Sequence, residues 1–123
     1  TTTLPNEHLP AACDTVPRIA VALGVYDHPE DLLAKVSMAE LMPDYRASLA
    51  TADFELYDNG YGGGYPPMED LVTNRLQMDK YQLIFVPCSD ETNDGLLSNP
   101  SVRANIRGWV EAGGKWFVTD RSY

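Results

Sequence analysis

The residues able to do chemistry fall just after the apolar runs of the chain. Asp27 and His28 follow RIAVALGVY, Asp58 follows FELY, Cys88 and Asp90 follow LIFVP, and Asp120 and Arg121 follow KWFVT. Cys88 is the candidate nucleophile. A thiol attacks as its thiolate, which needs a cation, a helix N-terminus or a histidine beside it. His28 could serve as the base and Asp90 could orient it. The plainer role for a cysteine after an apolar strand is packing, or half of a disulfide with Cys13. That bridge would require the leader to fold back, since Cys13 precedes the first strand and Cys88 ends the third. The carboxylates with His28 could surround a divalent cation through oxygen ligands. Asp and Asn are equally at home in loops, where they satisfy backbone groups, so no metal ligand and no cofactor is assigned.

Three partial motifs are incomplete. DNGYGGGYPP (58–67) lacks the spacing and the lysine of a phosphate-cradling loop. It reads as a surface loop, or as a binding loop whose Tyr61 and Tyr65 contact a ligand or partner chain. Residues 90–95, DETNDG, resemble the start of a calcium loop, but no Glu stands near Ser101 to complete it. A receiver domain needs acidic residues after its first strand and an Asp after its third. Here Leu23-Gly24-Val25 and Cys88 occupy those places.

The elements that position these residues are clearer. Arg18–Tyr26 is almost wholly apolar and reads as a central strand. Pro29 opens a helix with Glu30 and Asp31 in its first turn, expected to run to Met42 and to bury Leu32, Val36 and Ala39, flanked by Leu33. FELY (54–57) is a short strand whose Glu55 suggests a sheet edge. Met68–Asp79 reads as one helix, with Met68, Leu71, Val72 and Leu76 inward. LIFVP (83–87) is a strand buried on both faces. Asn99-Pro100 starts a helix with Val102, Ile106, Trp109 and Val110 on one stripe, and Gly113-Gly114 stops it. Lys115–Asp120 is the last strand. The alternation predicts a three-layer α/β/α sandwich with a parallel four-stranded sheet in the order 2-1-3-4. Residues 1–17 form an extended leader, and residues 18–123 the domain. Doubly wound sheets often carry further strands. A fragment of a longer sheet, or an edge completed by another chain, is therefore expected.

The run YQLIFVP, a loop, a helix ending VEAGG and an aromatic strand resemble the class I glutamine amidotransferase-like superfamily, whose fold is flavodoxin-like. The resemblance covers roughly Arg18–Tyr123. It implies a nucleophile elbow after the last strand, where Thr119-Asp120-Arg121-Ser122 stands without a cysteine. It also implies Pro-Gly-Gly where this chain has Pro87-Cys88-Ser89. A catalytically empty relative is what the resemblance predicts.

Formal charge is −9, with 18 Asp and Glu against 9 Lys and Arg, which argues against nucleic acid as a partner. No apolar run approaches the ~20 residues of a membrane span. The Thr- and Pro-rich leader resembles the mature start of a secreted or periplasmic protein, with a cytoplasmic tail as the alternative. The sequence thus reads as a non-catalytic domain for recognition or assembly. Its partner would be a protein, or a second copy met through an open sheet edge. The alternatives are a hydrolase or transferase using Cys88 and His28, and a regulatory domain binding a cation or phosphate.

Overall fold

The computed structural model describes residues 17–60, 62–87 and 93–119, without the Asp94 side chain. Four strands, β1 (Ile19–Leu23), β2 (Glu55–Asp58), β3 (Leu83–Val86) and β4 (Lys115–Val118), form one parallel sheet in the order β2-β1-β3-β4. β1 is buried along its whole length, as its unbroken apolar run demands of a central strand.

Period-two alternation divides the sheet between two cores. Ala20, Ala22, Tyr57, Ile84 and Val86 point to one face. They pack there against α2 (Met68–Val72), α3 (Arg75–Met78) and α5 (Pro100–Glu111) through Leu71, Val72, Met78, Val102 and Trp109. Ile19, Val21 and Leu23 point to the other face, where Leu33 of α1 (Pro29–Lys35), Met38 and Phe54 cover them. The layers are therefore helix, sheet and helix. A short α4 (Asp94–Leu97) precedes α5. Among the described residues no helix is long and apolar enough to cross a membrane.

Three helix boundaries differ from expectation. α1 ends at Lys35 rather than Met42. Ser37 is left-handed, with φ 70°. Its N–H bonds to Ala34 O and that of Met38 to Leu33 O, the paired bonds of a Schellman stop. Met38 folds back onto Leu33 in the core, so Leu33 and Ala34 are buried while Leu32 and Val36 are exposed. The expected helix 68–79 is two. Asn74 is extended, and its side chain accepts from the Gln77 N–H, so a new helix starts and Leu76 is left exposed. α4 takes part of what reads as a polar loop. α5 matches expectation at its start: Asn99 Oδ1 accepts from the Ser101 N–H at 2.9 Å. Val102 and Trp109 of its stripe are buried and Val110 is exposed.

Trp109 fixes how α5 returns to the sheet. Its Nε1–H donates to Tyr81 O at 3.1 Å, and its ring lies so close to Gly114 that a Cβ there would sit 2.3 Å from it. Only glycine lets β4 begin this soon after the helix.

Candidate functional site

At the carboxyl ends of the strands the backbone is laced together by side chains. Asn59, 9 % exposed, donates its amide N–H to Pro87 O at 3.3 Å, and its own backbone N–H goes to Leu23 O at 2.9 Å. One residue thereby joins the ends of β2, β1 and β3. Asp58 Oδ1 accepts from the Gly62 N–H at 2.9 Å, and the Asp58 N–H bonds to Pro66 O. Asp58 thus closes its own glycine loop. Tyr65 is half-buried against the α1-side core. Asp27 accepts a hydrogen bond from the Thr119 hydroxyl beyond β4.

The expected crevice thus divides. On the α5 side lies a cleft of about 500 Å³ bordered by Asp58, Asn59, Met68, Glu69, Asn93 and Asn99. Asn93, 8 % exposed, is the residue of its wall with an unmet need: Nδ2 is buried without a hydrogen-bond partner. An orphaned amide of this kind costs about 1–3 kcal/mol, so a ligand oxygen that reached it would be well rewarded.

On the α1 side is a charged cluster. His28 Nδ1 lies 3.0 Å from Glu30 Oε1 and 3.5 Å from the Arg46 guanidinium. Arg46 Nε bonds to Asp31 Oδ2 at 2.8 Å, and Asp31 Oδ1 accepts from the Ala47 N–H at 2.7 Å. A turn at Met42–Tyr45 and the Leu41–Ala47 bridge bring Arg46 beneath the start of α1. Glu30 is 2 % exposed, and burial raises its carboxyl above the ordinary range, against the opposing pull of its own backbone and of His28.

Of the residues singled out from the sequence, Asp27, His28, Asp58 and Tyr65 are described, and the structure does not gather them around one ligand position. Cys88, Asp90, Asp120, Arg121 and Tyr61 lie outside the described residues, as does Cys13. Sequence reasoning treated Glu30 and Asp31 only as helix-dipole residues and overlooked Asn59, Asn93 and Arg46. The DHPED spacing, which sets His28 and Asp31 one helical turn apart, was the available signal for the charged cluster.

The open side of the sheet carries a third feature. Lys115 and Phe117 of β4 point toward the α1-side face beside Leu83 and Phe85. Phe117 is 51 % exposed. The N–H groups of Lys115 and Thr119 bond inward to Gln82 O and Val86 O. Alternation along the strand therefore turns the Trp116 and Val118 N–H groups outward. Among the described residues no strand pairs with that edge.

In comparisons with known proteins, no family model, no curated protein and no solved structure matches this chain.

Proposed function

We propose that this chain is a recognition domain that assembles with a second copy of itself through β4 and the apolar face beside it, rather than an enzyme. The observation that carries the reading is Phe117, half-exposed in a strand whose outer edge has no partner among the described residues. Trp116-Phe117-Val118 is uncharged, and Lys115 places the strand's one charge at its amino end. An uncharged, unpaired edge is a template for another strand. Two copies related by a two-fold axis would pair their β4 strands antiparallel and bring both Phe117 rings to one seam. Pro87-Cys88-Ser89, standing where the resembled amidotransferase-like domains have Pro-Gly-Gly, supports a domain without their chemistry. Sedimentation velocity across a concentration range tests the reading. Wild type should form a dimer that Phe117→Asp abolishes; a monomer at every concentration would overturn it.

A second reading rests on Asn93. Its buried N–H donor suits an oxygen acceptor, while Asp58 and Glu69 in the same cleft disfavour an anion. A neutral hydroxyl- or carbonyl-bearing ligand fits better than phosphate. Thermal melts in a series of sugars, amides and phosphate test it, because a ligand of the folded state raises the midpoint. A rise with phosphate alone, or with none of them, would contradict it.

A further inference from the structure

Among the described residues, His28, Glu30 and Asp31 are the group able to offer three metal-ligating atoms together. Their ligand atoms all lie within 4.8 Å of one another. His28 stands at the N-cap of α1, and the two carboxylates occupy its first turn. Carboxylates at a helix start need no further reason, so the cluster by itself proves nothing. Two further observations bear on a ligand: an unmet oxygen at Glu30 and a contested nitrogen at His28.

Glu30, 2 % exposed, lines a recess of about 230 Å³ with Asp31, Asp44 and Arg46, and its Oε2 has no hydrogen-bond partner. His28 Nδ1 is contested. It faces Glu30 Oε1 at 3.0 Å and the Arg46 guanidinium at 3.5 Å. A protonated Nδ1 satisfies the carboxylate and meets the guanidinium donor to donor. A bare Nδ1 accepts from Arg46 and meets the ionised carboxylate acceptor to acceptor. Neither tautomer serves both neighbours. A cation held by the Nδ1 lone pair and the Glu30 carboxylate removes both conflicts.

We propose that His28, Glu30 and Asp31 form a binding site for a divalent transition-metal cation of the zinc class, which the Arg46 guanidinium covers until the metal displaces it. One imidazole and two carboxylates suit zinc or manganese better than calcium, which takes oxygen ligands. Arg46, 46 % exposed along its side chain, can swing into solvent by giving up its ion pair to Asp31 Oδ2. Asp31 stays oriented when it leaves, because Oδ1 keeps the Ala47 N–H at 2.7 Å.

Calorimetric titration of the full chain with Zn²⁺ at neutral pH tests the site. Wild type should show one saturable event. Glu30→Gln should weaken it by about tenfold or more, the scale of losing a ligand or its support. Arg46→Gln should tighten it by about fivefold, the scale of one nearby like charge removed. His28→Gln, checked for folding by circular dichroism, provides a second ligand variant should Glu30→Gln fail to fold. Absence of a saturable event in wild type overturns the proposal. So does unchanged affinity in the ligand variants, which would put zinc on other residues. Weaker binding in Arg46→Gln overturns it as well, making Arg46 a support for the cluster rather than a competitor.

Discussion

Phe85 and Phe117 pair across β3 and β4, their ring centroids 5.1 Å apart and their planes tilted by 58°. On the opposite face β4 makes a second aromatic contact, Trp116 against Trp109 of α5 at 6.4 Å. There α5 seals the seam and Trp109 is buried, whereas Phe117 stands half-exposed. The two aromatic contacts of β4 thus differ in their cover. The uncovered one adjoins the outward N–H groups of Trp116 and Val118. An apolar surface beside backbone donors that no described strand pairs is what a strand-adding partner uses.

Charge should govern how strongly copies meet. Each chain carries −9, so like copies repel. Raising salt from about 0.01 M to about 0.1 M shortens the screening length from about 30 Å to about 10 Å. Self-association measured by light scattering should strengthen over that range. Weakening with salt would point to ion pairs across the seam in place of apolar contact.

Gly114 and Gly108 should respond differently to alanine. At Gly114 a Cβ meets the Trp109 ring at 2.3 Å, a rigid wall in the core. Gly114→Ala should lose about 1–3 kcal/mol in urea unfolding, as overpacking does. At Gly108 the nearest atom is the end of the Arg75 side chain, which can move aside. Gly108→Ala should cost clearly less. Equal losses would mean that α5 does not dock through Trp109 as described.

Glu30 should impress a pH dependence on stability. Its folded carboxyl titrates above the unfolded value of about 4.3. A raised acid favours folding while protonated, so its contribution is full below the unfolded value and is lost as pH rises through the folded one. Burial drives the rise, its own backbone and His28 oppose it, and Asp31 adds to it, while Arg46 borders the same recess. Glu30→Gln has no proton to lose. Its stability relative to wild type should therefore improve from acid to neutral pH in metal-free buffer. A constant difference, or one of opposite sign, would contradict the burial of an ionisable Glu30.

Tyr45 is 72 % exposed and left-handed, with φ 63°, at the end of the Met42–Tyr45 turn. A side chain in that conformation costs about 1–2 kcal/mol that glycine avoids, part of which glycine returns through its freer unfolded chain. Tyr45→Gly should raise thermal stability modestly. A fall would show that the ring packs on something it is not seen to touch here.

The sheet was legible because β1 and β3 are uncharged apolar runs, and β1, the longer, had to be central, while the charges of Glu55 and Lys115 marked the two outer strands. Helix ends were less so. Leu32, Val36 and Ala39 have helical spacing, yet Met38 packs on Leu33 and the chain reverses at Ser37. The break at Asn74 was visible in principle, since asparagine caps helices, but Leu76 fits the stripe of the preceding turn equally well. The site was hardest to read. Asp58 looks like a free carboxylate and is taken by the Gly62 N–H. The unmet needs of Asn93 Nδ2 and Glu30 Oε2 depend on which neighbours the fold brings, and no local pattern encodes that.

Amide hydrogen exchange at Trp116 and Val118 bears most directly on assembly through β4. Their N–H groups point away from β3, and no strand among the described residues pairs with them, so a strand added by another copy should protect them. Exchange at these two positions should slow markedly as protein concentration rises through the association range, and should stay fast in Phe117→Asp. Rates that do not change with concentration, while the wild-type chain dimerises, would place the interface elsewhere and contradict the proposed role of this edge.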